Sequence, residues 1–286
     1  MDNRRLSDNI ENGSADTAGS RGEPLEAALY LIPSGMSDAA LADVLPAGNM
    51  RVVRAIRHFV VENVREARRF LKRCDPAIDI DSLTFCELNR HTDPSEASAF
   101  LVPLREGHPV GVLSDAGCPA IADPGAVVVG LAQREGLKVR PLVGPSSILM
   151  SLMASGFNGQ GFAFRGYLPV EAGERARTLR RLEDESASRE MTQIFIETPY
   201  RNSRMLRTLA ETLRQDTGVC VACDITSPSR EYIRTLKAGE WKRLIASGEA
   251  PDLDRRPAIF MIYAADMAGV HQTKHKNSEK HRKPLK

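Results

Sequence analysis

The 286-residue sequence is poor in cysteine and in aromatic residues, and it has no long apolar run. Its five cysteines are scattered, which argues against a secreted domain held together by disulfides. No apolar stretch approaches the roughly 18 residues that a membrane-spanning helix needs. The first 26 residues also lack the apolar core of a secretory signal. We therefore expect a cytoplasmic protein that does not enter a membrane.

Several common ligand-binding motifs are absent as well. The chain has no G-x-G-x-x-G turn for a dinucleotide, no G-x-x-x-x-G-K-[ST] loop for a nucleoside triphosphate and no G-x-S-x-G hydrolase turn. The single C-x-x-C pair, Cys220 and Cys223, lacks the second pair of a zinc ribbon, and its apolar surroundings favour two buried residues of a strand. The spacing of His58, His91 and His108 matches no metal site, so we expect no metal ion.

Charge is unevenly distributed along a chain whose net formal charge is +2. Residues 1–26 contain three arginines and six acidic residues, whereas residues 267–286 contain six basic residues and one glutamate. Both segments have the polar composition of disordered tails. The basic tail has two interpretations, a solvated tail or a contact with RNA phosphates. The body of the chain is neutral and gives no overall signal for nucleic acid.

Short apolar runs alternate with helical stretches in the first half of the chain, with strands predicted near 28–32, 58–61, 83–86, 110–113 and 139–143. This alternation is typical of a mostly parallel sheet with helices on both faces. The helices between these strands are predicted over 37–45, 64–72, 94–105 and 119–135. Pro46 and Gly48 predict a break after the first of them.

The second half of the chain has a mixed pattern. Strands are predicted near 161–167, 193–197, 219–225, 230–236 and 258–263, and the third and fourth of these are expected to form a hairpin-like pair. Helices are predicted over 147–154, 174–189 and 201–213. We therefore expect two α/β domains, residues 27–145 with a mostly parallel sheet and residues 146–266 with a mixed one.

The segment from Gly111 to Gly125 carries the strongest functional signal. A predicted buried strand runs directly into a loop that holds Asp115 and Gly117. Ligands of open α/β sheets bind outside the carboxyl ends of strands, where such loops gather. Glycine lets a ligand approach the backbone, and a carboxylate accepts hydrogen bonds from an amine or a hydroxyl. The residues of this segment alone leave an ordinary turn as an equal alternative.

Four groups of motifs, in register along about 28–263, resemble one family. They are S-D-A-G-C-P with D-P-G at 114–125, G-P-S-S at 144–147, S-G-F with G-Y-L-P at 155–169, and E-T-P-Y-R at 197–201. Together they are similar to the tetrapyrrole methylase superfamily, and within it to the branch that methylates ribose 2′-oxygens of 16S ribosomal RNA. The resemblance implies two α/β domains with a cofactor cleft between them.

The cofactor that this resemblance implies is S-adenosylmethionine (SAM). The methionine end of SAM is expected at Asp115, Gly117 and Cys118. The other implied contacts lie on the adenosine side or where late strands reach the cleft: Ser147, Ile148, Ile196, Ile225, Pro257 and Ala258. Dimers are common in the family, so a homodimer is expected.

Methyl transfer to a hydroxyl requires an aligned donor and acceptor and a base for the hydroxyl proton. The candidate catalytic residues are Glu62, Arg65, Glu197 and Arg201, with Asp123 as a further acid. The two arginines are candidates for phosphate binding. Each residue also has a structural alternative. Glu62 and Arg65 suit a charge pair at a helix start, Asp123 an N-cap, and Glu197 and Arg201 an i,i+4 pair.

Three loops on the acceptor side depart from the pattern of this branch. Residues 32–37 replace its P-T-P-I-G-N-L, Asn63 and Val64 replace the Asp and Thr of A-E-D-T-R, and Tyr200 replaces the His of E-S-P-H-R. The expected partner is RNA or a ribosomal subunit. The departures leave open a small or tetrapyrrole-like acceptor, and also a non-catalytic protein that binds SAM or RNA.

Overall fold

The structure is a computed structural model that describes residues 24–88 and 92–265. The predicted tail at 267–286 lies outside these residues, as do His91 and most of the predicted tail at 1–26. Within the described part, no helix is both long enough and apolar enough to cross a bilayer.

Five strands form the first sheet in the order β3-β2-β4-β1-β5, and all neighbouring strands are parallel. Strand β4 is buried along its whole length because helices cover both faces of the sheet. The strands are β1 (Leu29–Ile32), β2 (His58–Val61), β3 (Thr84–Glu87), β4 (Val110–Leu113) and β5 (Val139–Pro141).

Helices lie on both faces of this sheet. On one face, α2 and α3 bury Val53 and Phe70, and on the other face α5 and α6 bury Leu104 and Val128. The side chain of Asn63 caps α3 by accepting hydrogen bonds from two backbone N–H groups of its first turn. The helices are α1 (Leu41–Val44), α2 (Ala47–Ala55), α3 (Val64–Cys74), α4 (Pro94–Ala97), α5 (Val102–Arg105) and α6 (Ala126–Arg134).

Five further strands form a second, mixed sheet in the order β6-β7-β10-β8-β9. Strands β6 and β7 are parallel, and the other neighbouring pairs are antiparallel. The predicted hairpin-like pair is present as the antiparallel strands β8 and β9. The strands are β6 (Phe162–Tyr167), β7 (Thr192–Ile196), β8 (Gly218–Cys223), β9 (Tyr232–Lys237) and β10 (Ala258–Tyr263).

The second sheet also has two apolar faces. Helices α8, α9 and α10 cover one face around the fully buried Trp241, and α7 covers the other through Leu152. These helices are α7 (Ser147–Ser155), α8 (Ala172–Arg189), α9 (Asn202–Thr212) and α10 (Ala238–Ser247). The predicted fold class, two α/β sheets of which the first is parallel and the second mixed, is confirmed.

The sequence-based prediction is wrong in the helices at several points. The predicted break at Pro46 is present, since α1 ends at Val44. Helix α2, which begins directly after Pro46, was not predicted. Helix α10 was not predicted either. The predicted helix over 94–105 is divided by a 3₁₀ turn at Ala99–Leu101. The first helix begins at Leu41 rather than 37.

The predicted helix over 119–135 is also too long. Its first seven residues form a loop in which Ala120 and Ala122 have φ angles of 67° and 56°. Such positive φ angles are incompatible with a right-handed helix and are uncommon outside glycine. This loop lies in the candidate site.

Candidate functional site

A cleft lies between the two sheets, at the carboxyl ends of β2 and β4. After β2 the chain moves to β3 on one side of the first sheet, and after β4 it moves to β5 on the other side. This reversal is the usual ligand-binding position of an open α/β sheet. The cleft has a volume of about 330 Å³, and a smaller cavity of about 80 Å³ shares part of its lining.

The loop after β4 forms one wall of the cleft and is fixed by hydrogen bonds. The backbone N–H of Ser34 donates to the carbonyl of Gly117 at 2.9 Å, and the Ser34 hydroxyl donates to the carbonyl of Ser114 at 3.2 Å. Further along the loop, Asp123 Oδ1 accepts from the backbone N–H groups of Ala120 at 3.0 Å and Gly125 at 2.7 Å. These bonds stabilise the two alanines in their left-handed conformation.

Two glycines allow this loop and the linker between the sheets to approach other chain segments closely. Gly117 has a φ angle of 73°, and a Cβ there would lie 3.4 Å from Met36 Sδ and from the carbonyl oxygen of Pro145. A Cβ on Gly144 would lie only 2.2 Å from Cβ of Pro33. A side chain at either position would therefore disturb the wall of the cleft.

Several carboxylates lie along this wall of the cleft. Partial loss of solvent raises the pKa of Asp115, and repulsion from Glu66 and Asp123 adds to the effect. Burial likewise raises the pKa of Asp123, although its backbone hydrogen bonds act in the opposite direction. An interaction with the Glu62 side chain also acts to lower the pKa of Asp123.

The opposite wall contains a buried ion pair. The Glu197 side chain is 2% exposed, and its Oε1 lies 2.6 Å from Arg201 Nη2 and 3.0 Å from Arg201 Nε. The same oxygen accepts from the backbone N–H of Thr198 at 2.6 Å. Glu197 and Arg201 therefore form the i,i+4 ion pair that the sequence predicted as an alternative to a catalytic role.

All nine predicted cofactor residues line the cleft or its adjoining cavity. Gly117, Cys118 and Ile148 line the smaller cavity, and Ser147 and Ile196 line both spaces. The other four, Asp115, Ile225, Pro257 and Ala258, line the larger cleft.

The four candidate catalytic residues are placed differently. Glu62 and Glu197 line the cleft. Arg201 reaches it only through its ion pair with Glu197. Arg65 is exposed in the first turn of α3 and is not part of the lining.

Some residues that line the cleft were not predicted as site residues from the sequence. Met36 comes from the first loop, which departs from the family pattern and so gave no signal. Tyr167 lies within the quoted G-Y-L-P motif, and its position there was the available signal. Ile259 follows Ala258 in β10, but a buried apolar strand does not reveal which residue faces a ligand.

Side-chain hydrogen bonds join the two halves of the chain at the edge of the cleft. The hydroxyl oxygens of Ser37 and Thr226 are 2.9 Å apart, and Ser227 Oγ donates to Asp38 Oδ1 at 3.0 Å. Ser37 and Asp38 therefore lie outside the helix that the sequence predicted from residue 37, since α1 begins at Leu41. They hold the loop after β1 against the turn between β8 and β9.

The C-x-x-C pair lies away from any candidate ligand set. Cys220 and Cys223 are fully buried in β8, and burial raises the pKa of each thiol to about 11. The described residues contain no group of three or more His, Cys, Asp or Glu side chains suited to hold a metal ion.

Comparison with curated proteins finds relatives that match most of the chain. The ribosomal RNA small subunit methyltransferase I of Vibrio cholerae is 31% identical over 244 residues, which cover 85% of this chain and 80% of that protein. The chain belongs to the ribosomal RNA small subunit methyltransferase I family. Another member, from Mesorhizobium japonicum, is 32% identical over 243 residues, covering 85% and 77% of the two chains. No protein-family profile matches this member of the family.

Solved structures share the fold of this family member at low sequence identity. The methyltransferase CobJ has a TM-score of 0.53 at 15% identity, with 82% of this chain and 98% of that chain covered. The cobalt precorrin-4 methyltransferase of cobalamin biosynthesis has a TM-score of 0.50 at 15% identity, covering 83% and 95%. These structures confirm the predicted fold, and the relatives from Vibrio cholerae and Mesorhizobium japonicum confirm the predicted methyltransferase class.

Proposed function

We propose that this chain is a SAM-dependent methyltransferase that modifies a ribose 2′-oxygen of small-subunit ribosomal RNA. Relatives at about the same length carry the name ribosomal RNA small subunit methyltransferase I. The observation that carries the proposal is the cleft, because its lining brings together the residues of four separate family motifs.

The chemistry of the cleft suits SAM. Asp115 offers a carboxylate for the amino group of the methionine end, and the bare backbone at Gly117 leaves room beside it. Ile148, Ile196 and Ile225 offer apolar surface for the adenosine end. The other proposed contacts are Cys118, Ser147, Pro257 and Ala258. SAM, when bound, supplies an electrophilic methyl group.

The chain's own residues must position the acceptor and remove its proton. We assign removal of this proton to Asp123, because burial raises its pKa and a carboxylate of raised pKa is a stronger base, with the Glu62 side chain beside it. Arg201 positions Glu197 through their ion pair. Arg65, exposed at the start of α3, is proposed to contact an RNA phosphate.

Titration of the purified protein with SAM tests the cofactor site. The Asp115→Ala variant should bind SAM about tenfold or more weakly, since a hydrogen bond to a charged group contributes about 1.5–3 kcal/mol. Asp81→Ala is the matched control, because Asp81 precedes β3 at the opposite edge of the sheet. Equal affinities for the two variants would place the cofactor elsewhere.

Methyl transfer to small ribosomal subunits tests the acceptor. Subunits from a strain that lacks this gene should accept labelled methyl groups from wild-type protein, and the label should map to a ribose. A folded protein that binds SAM but labels neither subunits nor free small-subunit RNA would overturn the acceptor assignment and leave the cofactor assignment intact.

We also infer that the protein works as a homodimer in the cytoplasm, where ribosomal subunits are found. Leu149 and Met153 lie one turn apart on α7 and are 50% and 83% exposed, which is a high exposure for apolar side chains. They are the proposed centre of the dimer contact. Light scattering should give a dimer for wild type and a monomer for Leu149→Glu/Met153→Glu. A wild-type monomer would contradict the inference.

A further inference from the structure

A groove of about 610 Å³ lies between α8 and α9, on the outer side of the second sheet. Three arginines line it, Arg175 from α8 and Arg204 and Arg207 from α9. Small residues of α8, Ala172 and Ala176, leave the space between the helices open. The mechanism above uses none of these side chains.

Arg175 is an unusual cation. It is only 3% exposed, and no carboxylate of the described residues lies within 4.0 Å of its guanidinium. Its Nη1 donates to the carbonyls of Val170 at 2.8 Å and Pro169 at 3.3 Å, whereas its buried Nε has no partner. Glu171 interacts electrostatically with Arg175 but forms no ion pair with it within 4.0 Å. A buried cation without a paired anion is costly, and an anion in the groove would add negative charge beside it.

Arg204 and Arg207 extend this positive surface. They lie three residues apart and therefore on one face of α9. Both are exposed, and neither forms an ion pair within the described part of the chain. Two acids also line the groove. Asp254 already accepts a hydrogen bond from the backbone N–H of Ser203 at 3.1 Å, and Glu211 lies two turns beyond Arg204.

The groove and the cleft share no lining residue, but two segments of the chain connect them. The turn held by Arg175 follows Tyr167, which lines the cleft and is 62% exposed. Helix α9 follows Pro199, which lines the cleft, and Tyr200, which is 75% exposed. Exposed tyrosines are suitable surfaces on which unpaired bases stack. Both tyrosines therefore lie, along the chain, between residues that line the cleft and residues that line the groove.

We propose that this groove binds backbone phosphates of the RNA strand next to the nucleotide held in the cleft. The inference rests on the proposed function, because the cleft must hold an RNA nucleotide. Arginine suits the role since its planar guanidinium binds phosphate oxygens in pairs. The groove contributes affinity and register, and it does not read sequence.

The test compares RNA binding by Arg204→Ala/Arg207→Ala with binding by the full-length wild-type protein, using a labelled single-stranded RNA and a series of salt concentrations. Loss of two phosphate contacts should lower the slope of log affinity against log salt by about 1.4, which is about 25-fold weaker binding at about 0.1 M salt. Arg175 is left intact because its bonds to two carbonyls also hold the turn after β6.

The matched control is Arg51→Ala/Arg134→Ala, which removes two exposed helical arginines of the first half. The inference is overturned if the groove variant loses no more RNA affinity than this control. It is also overturned if the groove variant binds free RNA normally but fails to methylate whole subunits, since that result indicates a protein partner. Methyl transfer by the wild-type protein separates these outcomes from failure of the proposed function, because only the latter predicts wild-type protein that labels neither small subunits nor their free RNA.

Discussion

The ion pair of Glu197 and Arg201 permits the sharpest prediction of stability. The Glu197 side chain is 2% exposed and Arg201 is 29% exposed, so Arg201→Ala leaves a buried carboxylate without its cation. Breaking a buried pair in this way costs about 3–5 kcal/mol, and the partial exposure of Arg201 and the remaining Thr198 N–H reduce the expected loss to about 2–3 kcal/mol. For a protein of this size the melting temperature should fall by about 4–10 °C.

Urea denaturation and calorimetry measure this loss, and the chain offers a matched control. Glu185 and Arg189 form the same i,i+4 pair on α8, but Arg189 is 67% exposed and the N–O distance is 3.6 Å. Arg189→Ala should therefore cost about 0.5 kcal/mol or less. In a Glu197→Gln background, Arg201→Ala should also cost little, because a neutral amide needs no cation. Equal losses for the two arginine variants would refute the reasoning.

Three further predictions concern the cleft. Gly144→Ala should destabilise the protein by about 1–3 kcal/mol because the added Cβ would collide with Pro33. A Cβ on Gly48 has no atom within 4 Å, so Gly48→Ala should stabilise α2 by about 0.5–1 kcal/mol. Thermal melts of the two variants measure both effects. Burial raises the pKa of the Cys118 thiol, so its alkylation should be slow at neutral pH and faster in alkali. Because Cys118 lines the smaller cavity, SAM should block this alkylation. Mass spectrometry of the labelled peptide measures both effects. The raised pKa of Asp115 means that this carboxylate gains its proton at a higher pH than an ordinary aspartate, so SAM affinity should begin to fall earlier on acidification. Calorimetric titrations over a pH series test that point, and a flat profile in acid would contradict it.

Strands were more predictable than helices in this chain. Val110 to Leu113 is buried on both faces, so its sequence is continuously apolar and identifies a strand without ambiguity. The start of α2 was not predictable in this way, because Pro46 both ends and begins helices according to its place in the turn. Ala120 and Ala122 have high helix propensity, but the hydrogen bonds that Asp123 accepts from Ala120 and Gly125 stabilise a left-handed conformation instead.

The same distinction applies to the site. Asp115 and Gly117 were identifiable because a loop at the end of a parallel strand has a known place in such folds. Met36 was not identifiable, since its position in the cleft depends on how the loop after β1 packs against the second sheet. The groove arginines were equally hidden. Sequence shows α8 as a highly charged helix, but only the structure shows that Arg175 is buried and that no carboxylate of residues 24–88 and 92–265 forms an ion pair with it.

The bridge between Ser37 and Thr226 joins positions that are 189 residues apart in the chain. The residues that line the cleft are also far apart in the sequence, from Met36 to Ile259. A growing polypeptide therefore has no complete cleft until Ile259 has been synthesised, and a premature stop after α9 would remove Ile225, Pro257, Ala258 and Ile259 from the lining. Because a ligand in the cleft binds only the joined arrangement, its binding free energy adds directly to the association of the two halves. A ligand bound in the cleft therefore couples the unfolding of one sheet to the unfolding of the other.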